Sequence, residues 1–257
     1  MDPPRYIHIY QTASVPAVDA KIVAEEIDKI LPICKIDIRP PPPFKYEENV
    51  IECAKIADIK QPFERQPNHE QDNKFMMMMT KIPLYDGFVM QKKLAEMIPT
   101  TEISLAHIHI IFTSLLTCTF DEDDWRYHGR AVICGTPSIV STTGIIEALA
   151  KPREFYLTQM PGGMEQDDEM LKKKFAGRFI DYDEGDKITA ASINYALQAI
   201  FFFITNGEPF CNNKDCRLLN AHWQEDLIHT IRKRTLCSYH RNLANKLSKG
   251  QPMAGKF

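Results

Sequence analysis

The stretch DKITAASINYALQAIFFFITNGEPFC, residues 186–211, decides the fold because it contains the strongest helix that the sequence predicts. Asp186 or Thr189 is expected to cap the first turn of this helix. Asn206 and Gly207, residue types that adopt the left-handed conformation, are expected to end it. Residues 200–204 are apolar on every side of the helix. A helix segment of this kind is buried, so we expect its last two turns to lie inside the protein.

Directly after this helix, residues 211–240 contain three of the seven cysteines and three of the eight histidines of the chain. Two pairs are spaced as chelating units: Cys211 with Cys216, and Cys237 with His240. Tetrahedral Zn²⁺ accepts three thiolates and one imidazole, and a site with four protein ligands is closed and therefore structural. The spacing predicts one structural zinc ion per chain, which would contribute on the order of 10 kcal/mol to folding of this segment.

Two further histidines leave the fourth ligand open. His222 and His229 lie between the two pairs, on a helix predicted over about residues 221–232. Because they are seven residues apart, they share one face of that helix. Either of them is an alternative to His240 as the fourth zinc ligand.

The helix and the two metal-binding pairs together resemble the archaemetzincins. In that family a catalytic zinc motif, His-Glu-x-x-His-x-x-Gly-x-x-His, runs directly into Cys-x4-Cys-x-Met, and a Cys-x2-Cys pair follows further along the chain. Gly207 stands on the glycine of the catalytic motif, and Leu218 replaces the methionine. The second metal site of the family corresponds to Cys211, Cys216, Cys237 and His240, with one additional residue in the spacer before Cys237 and a histidine for the last cysteine.

The catalytic half of the archaemetzincin motif is replaced in this chain. The three zinc-binding histidines correspond to Ile200, Ile204 and Phe210, and the general-base glutamate corresponds to Phe201. A peptidase of this class needs imidazoles to hold zinc, whose bound water then has a pKa of about 7, and a carboxylate to move the proton. Apolar side chains do neither, so we expect all four to pack the space of the lost active site. The resemblance implies a non-catalytic zinc protein with a binding or scaffolding role toward an unidentified protein or peptide.

The remaining sequence predicts an α/β fold. RYIHIYQ, AVDAKIVAEEIDKIL and CKIDIR predict an opening strand, helix and strand, with the two strands parallel. LYDGFVMQKKLAEMI predicts a helix that begins near Asp86, LAHIHIIFT predicts a buried strand, and GRAVICG resembles the edge strand of the archaemetzincins. We therefore expect a zincin-like mixed sheet with flanking helices over residues 1–206, a small zinc-binding unit over residues 207–240, and a basic tail over residues 241–257.

An alternative metal centre is suggested by the strand LAHIHIIFT. His107 and His109 alternate along it and so project from the same face. With His128 as a third ligand, and Glu147 or an acid of the DEDD loop at residues 121–124, they would form the centre of a zinc-dependent hydrolase. The competing interpretation is that the two histidines simply pack or form hydrogen bonds.

Charge and hydropathy limit the other classes of function. The net charge of −3 and the isoelectric point near 6.3 give no overall attraction to nucleic acid or to an anionic membrane. The segment 231–257 is basic and has no acidic residue, so a nucleic-acid module resembling a zinc ribbon is a further alternative. With no secretion signal, no long apolar run and scattered cysteines in apolar segments, we expect a cytoplasmic protein without membrane contact. The run Met76–Met79 has no assigned role.

Overall fold

The computed structural model describes residues 4–11, 17–40, 52–56, 58–60, 82–158, 170 and 173–250. Met76–Met79 and the last seven residues of the predicted tail lie outside these ranges. The strands are β1 (Tyr6–Gln11), β2 (Lys35–Arg39), β3 (Leu84–Asp86), β4 (His107–Thr113), β5 (Leu116–Asp121), β6 (Arg126–Arg130), β7 (Val132–Ile133) and β8 (Ser138–Ser141). The helices are α1 (Ala20–Ile30), α2 (Gly87–Ala95), α3 (Thr142–Glu147), α4 (Arg153–Thr158), α5 (Gly185–Ile204), α6 (Gln224–Lys233) and α7 (Ser238–Ser248), with one 3₁₀ turn at Thr100–Glu102.

The main sheet has five strands in the order β2-β1-β4-β8-β7. Its first four strands are parallel, whereas β7 at the edge runs antiparallel to β8. A second sheet, in the order β3-β5-β6, combines one parallel and one antiparallel pair. These mixed sheets with flanking helices confirm the predicted α/β class, including the parallel pair β1 and β2 on either side of α1. The edge position of β7 agrees with the expectation for GRAVICG.

Side-chain caps explain where two of the predicted helices begin. The Asp19 carboxylate accepts hydrogen bonds from the backbone N–H groups of Lys21 and Ile22 at the start of α1. Asp86 caps α2 in the same way, as the sequence predicts. Along α1, the residues that face the sheet are apolar and buried, including Val23 and Ile27. Capping and an apolar face together therefore fix α1 between β1 and β2.

Helix α5 runs through the main apolar core. Its buried side chains share one cluster with residues from β1, β4 and α7, including Ile9, Ile110 and Leu247. The helix has the length and mean hydropathy (1.3) of a membrane span, but 83% of that window is buried inside the fold, as in a core helix. The left-handed residues Asn206 (φ 58°) and Gly207 (φ 103°) end the helix, which confirms the prediction.

The predicted cap of α5 is wrong. Glu184 occupies the N-cap position without a side-chain hydrogen bond, and Asp186 lies inside the first turn. The hydroxyl of Thr189 instead donates to the carbonyl of Ala17 and accepts from the N–H of Asp19. A tertiary contact with the start of α1 has thus replaced the local capping role.

Helix α7 joins the metal-binding segment to the predicted tail. Ala244 and Leu247 of this helix are buried in the main cluster, at the three-residue spacing of a helix face. The boundary predicted after residue 240 therefore falls inside a helix, and residues 241–248 belong to the folded body. This apolar face was not predicted from the sequence, because the segment was interpreted from its basic charge.

Candidate metal centre

Four side chains converge beside the C-terminal end of α5: Cys211, Cys216, Cys237 and His240. Their ligand atoms all lie within 4.8 Å of one another. The Sγ atoms of Cys211 and Cys237 are 3.9 Å apart, and His240 Nδ1 lies 3.7 Å from Cys216 Sγ and 3.1 Å from Cys237 Sγ. A tetrahedral ion with metal–sulfur bonds of about 2.3 Å requires sulfur–sulfur edges of about 3.8 Å. The cluster therefore has the size of one tetrahedral metal site.

The backbone around the cysteines holds this geometry. The N–H of Cys211 donates to the carbonyl of Leu218, and the N–H of Cys216 donates to the carbonyl of Asn213, which closes a tight turn between the first two cysteines. Cys237 is the N-cap residue of α7, so His240 lies in the first turn, on the same side of the helix. Local spacing thus places each pair, and tertiary packing brings the two pairs together.

Backbone N–H groups also point at two sulfur atoms. The N–H of Asn213 lies 3.3 Å from Cys211 Sγ, and the N–H of Cys237 lies 3.4 Å from Cys216 Sγ. Such contacts favour the ionised thiolate, which is the form that binds a metal. The loop around the cysteines is therefore built to accept negative charge on sulfur.

Burial has opposite consequences for the thiols and the imidazole. It raises the pKa of Cys211, and it raises the pKa of Cys216 to about 12. Burial also opposes ionisation of Cys237, but hydrogen bonds from the backbone of His240 and from the neighbouring thiols lower its pKa. Burial lowers the pKa of His240 and keeps its ring neutral, as ligation requires. Thiolates in this position need a positive counter-charge, which a divalent metal supplies.

The end of α5 packs directly on this cluster. Ile200 and Phe201 are completely buried, and Ile204 is 7% exposed. The ring of Phe201 meets the imidazole of His240 edge to face, with ring centres 5.4 Å apart. The expectation that Phe210 also fills the core is wrong, because it lies beyond the end of the helix and is 45% exposed. None of these four side chains carries an atom that can bind a metal or accept a proton.

Arg217 fastens the metal-binding turn to the rest of the fold. Its side chain is 5% exposed, and its Nε donates to Asn194 Oδ1 of α5 at 3.0 Å. Its Nη1 donates to the carboxylate of Glu26 on α1 at 3.3 Å. Hydrogen bonds with Lys29 and Arg217 lower the pKa of Glu26, so the carboxylate stays ionised. No local pattern points to Arg217, since its partners Asn194 and Glu26 are distant along the chain.

Neither His222 nor His229 joins the four ligands. His222 precedes α6, where its backbone carbonyl accepts from the N–H of Ala150. The exposed ring of His229 binds Asp215 instead, with Nε2 2.6 Å from Oδ1. His240 is therefore the histidine that completes the cluster.

The alternative centre around His107, His109 and His128 is not formed. His107 and His109 share a face of β4 as predicted, but His128 lies on β6 of the second sheet, with its Nε2 2.9 Å from the carboxylate of Asp124. Glu147 is paired with Lys151. The partners of His107 and His109 are His8 and Glu102, whose ligand atoms lie within 4.8 Å of theirs. Sequence reasoning missed His8 because β1 and β4 are neighbours only in the folded sheet.

The mixed sheets, the central helix and the cysteine-rich cluster that follows it define an α/β protein with candidate metal-binding groups. The chain belongs to the family described as Probable metallopeptidase family (DUF6775), whose model matches residues 3–247. The match spans the sheets, α5 and the whole metal cluster. No curated protein and no solved structure matches the chain.

Proposed function

We propose that the chain is an archaemetzincin-like, non-catalytic member of this family. In this proposal it holds one structural zinc ion at Cys211, Cys216, Cys237 and His240 and acts by binding another protein or peptide. The observation that carries the proposal is the position of Phe201. Where the archaemetzincin pattern has its general base, this chain has a completely buried ring packed on His240.

The ligand set favours zinc over other divalent ions. Three soft thiolates and one imidazole suit Zn²⁺, whereas Mg²⁺ and Ca²⁺ prefer oxygen ligands. Four protein ligands leave no open position for water or substrate, so the ion would be structural. It would join the turn at residues 211–219 to the start of α7, two segments that are separate in sequence and meet at this cluster.

The apolar residues at the end of α5 cannot support the peptidase reaction. The reaction needs a zinc ion with an open position and a carboxylate beside it. Ile200 and Ile204 have no lone pair for zinc, and Phe201 cannot take a proton. The side chains of these three residues fill the core, so no cleft remains for a peptide at this position.

A role in binding is supported by two exposed aromatic residues beside the ligands. Phe210 precedes Cys211 and is 45% exposed, and Tyr239 precedes His240 and is 59% exposed. Aromatic side chains are enriched in protein interfaces, and the metal would hold these two in fixed positions. We place the protein in the cytoplasm, where the reducing environment keeps the ligand thiols available for metal.

A basic cavity favours nucleic-acid binding as a second candidate function. The cavity has a volume of about 260 Å³, and its lining includes Lys29, Arg217, Arg234 and Arg241. Arg217 and Lys29 are already paired with Glu26, which leaves Arg234 and Arg241 for a phosphate backbone. Binding of single-stranded nucleic acid that weakens steeply with salt, and is lost in Arg234→Gln/Arg241→Gln, would support this candidate.

Cobalt substitution tests the leading proposal. Co²⁺ bound by thiolates gives an intense charge-transfer absorption in the near ultraviolet, which reports the cysteine site alone. We expect this band in the wild type and in the control Cys134→Ser, and we expect its loss in Cys216→Ser. We also expect no cleavage of casein by the zinc-loaded protein. Absence of the band from the wild type, or casein cleavage abolished by an Ile200→Ala change, would contradict the proposal.

A further inference from the structure

A second group of metal-binding side chains lies on one face of the main sheet, separate from the cysteine cluster. Parallel β1 and β4 place His8 directly opposite His109, and Tyr6 opposite His107. The 3₁₀ turn contributes Glu102, and the four ligand atoms all lie within 4.8 Å of one another. His109 is completely buried and His8 is 4% exposed. Three imidazoles and one carboxylate therefore converge at a largely buried position.

The distances are close to those of a tetrahedral site. His8 Nε2 lies 2.9 Å from His107 Nδ1 and 3.9 Å from Glu102 Oε2, and His109 Nε2 is also 3.9 Å from Glu102 Oε2. Nitrogen and oxygen ligands at about 2.0–2.1 Å from a metal are separated by about 3.3–3.4 Å in a tetrahedron. The observed distances lie on both sides of this value. Shifts of the ligand atoms by less than an ångström, through small side-chain rotations, would therefore give tetrahedral geometry.

Outer hydrogen bonds hold the group in the orientation that a metal needs. Asp37 accepts from His8 Nδ1 at 2.6 Å, which leaves the lone pair of Nε2 pointing at the centre of the group. Arg39 binds both oxygens of Glu102, at 2.7 and 2.9 Å. A carboxylate behind a ligating histidine is the usual arrangement in protein metal sites, where it fixes the tautomer and makes the ring more basic.

The protons of the group can be arranged to free all three imidazole lone pairs. Burial is the main cause that lowers the pKa of His109 to about 4, so this ring is neutral near pH 7. Its Nδ1 lies 3.0 Å from the hydroxyl of Tyr10, which can accept a hydrogen bond from Nδ1–H when Nε2 binds a metal. The half-buried His107 can likewise carry its proton on Nε2 and present Nδ1. His109 can therefore ligate through Nε2 without gaining or losing charge.

The local charge also favours a cation. The carboxylates of Asp37 and Glu102 face one guanidinium, that of Arg39. Hydrogen bonding with Arg39 is the main cause that lowers the pKa of Glu102, which keeps this carboxylate ionised as a ligand. Two carboxylates against one guanidinium leave one negative charge that a bound cation can balance.

We propose that His8, His107, His109 and Glu102 bind a second divalent metal ion, for which the imidazole-rich set suits Zn²⁺. With four protein ligands the ion would be structural, and it would tie β1, β4 and the 3₁₀ turn together. This site is independent of the proposed function, since it shares no ligand with the cysteine cluster.

The site is tested in the full chain with the double change Cys211→Ser/Cys216→Ser, which removes the thiolate ligands. Co²⁺ titration should then show the weak visible bands of nitrogen and oxygen ligation, at one ion per chain, and Zn²⁺ should displace the cobalt. Adding His107→Gln should abolish these bands, whereas the control His128→Gln should leave them unchanged. Asp37→Asn should weaken cobalt binding by about 10- to 100-fold, as expected for a residue that orients a ligand.

Three outcomes decide between the two sites. Equal cobalt binding by the His107→Gln and His128→Gln proteins would overturn the second site, and so would the absence of binding in a folded double variant. If the double variant does not fold, the wild type is used with its cysteine site filled by Zn²⁺, and Co²⁺ is followed by the visible bands alone. If the wild type lacks the thiolate band but holds a metal that His107→Gln removes, the second site stands and the proposed function fails.

Discussion

Replacing Phe201 by glutamate tests whether the end of α5 is core or a solvent-filled site. The residue is completely buried against His240, and it stands where the archaemetzincin pattern has a glutamate. Truncation of a buried phenylalanine costs about 3–5 kcal/mol. A buried carboxylate without a partner has its pKa raised by about 3–5 units, from about 4.3 to near or above 7. At pH 7 its ionisation therefore adds about 3.5 kcal/mol, which is set by the interval between the unfolded pKa and the solution pH. The sum is comparable to the whole stability of a typical domain, about 5–15 kcal/mol, so Phe201→Glu should be largely unfolded near pH 7.

The neutral variant Phe201→Gln separates the charge from the packing. We expect it to lose only the packing part and part of the amide desolvation, about 3–6 kcal/mol. The folded pKa of the new glutamate is raised above its unfolded value of about 4.3, so its carboxyl is tolerated below that pH. The free energy of unfolding of Phe201→Glu then falls as pH rises through the interval between the unfolded and the folded pKa of the glutamate. Urea unfolding should therefore show a gap between the Glu and Gln variants that widens from about pH 5 to about pH 8.

Phe210→Glu is the matched control, because the same change is made at an aromatic residue that is 45% exposed. It should alter the free energy of unfolding by no more than about 1 kcal/mol. The reasoning would be refuted if Phe201→Glu were as stable as Phe210→Glu, or if its stability followed the pH dependence of Phe201→Gln. Either result would mean that position 201 is open to water.

Two further predictions concern stability and thiol reactivity. Arg217→Met should cost about 2–4 kcal/mol in urea unfolding, because it leaves the carboxylate of Glu26 without its buried partner. Lys29→Met removes the exposed partner of the same carboxylate and should cost under about 1 kcal/mol; equal costs would contradict the anchoring role of Arg217. Burial raises the pKa of Cys118 to about 12, so at neutral pH iodoacetamide should modify the exposed Cys53 well before Cys118. Peptide mass mapping measures this order, and equal modification of the folded protein would contradict the burial of β5.

Local patterns in the sequence were sufficient to predict several strands and helix ends of the fold. The alternation in RYIHIYQ and LAHIHIIFT predicted β1 and β4, Asp86 predicted the start of α2, and Asn206 with Gly207 predicted the end of α5. These features are encoded within a few residues, by periodicity and by capping chemistry. Strand β8 was missed because its segment, SIVS, lies among turn-forming residues, and its pairing with β4 on one side and β7 on the other is tertiary information.

In the candidate sites, too, the features encoded locally were predicted and those that depend on tertiary contacts were not. The spacing of the two ligand pairs is local, so the sequence identified Cys211 and Cys216 as one chelating unit before their geometry was known. The partner of His109 across the sheet could not be found, because the neighbour of β4 is β1, far earlier in the chain. The exposure of Phe210 was also not predictable from a motif, since an alignment with a helix-based pattern does not show where the helix ends.

The most direct test of the account is the zinc content of the purified protein, measured by elemental analysis. The wild type is compared with Cys211→Ser/Cys216→Ser and with Cys53→Ser/Cys134→Ser, which changes two cysteines outside the cluster. The account predicts that the first variant holds one zinc ion fewer per chain than the wild type, whereas the second holds the same amount. Equal zinc content in all three proteins would contradict a structural zinc ion at the cysteine cluster.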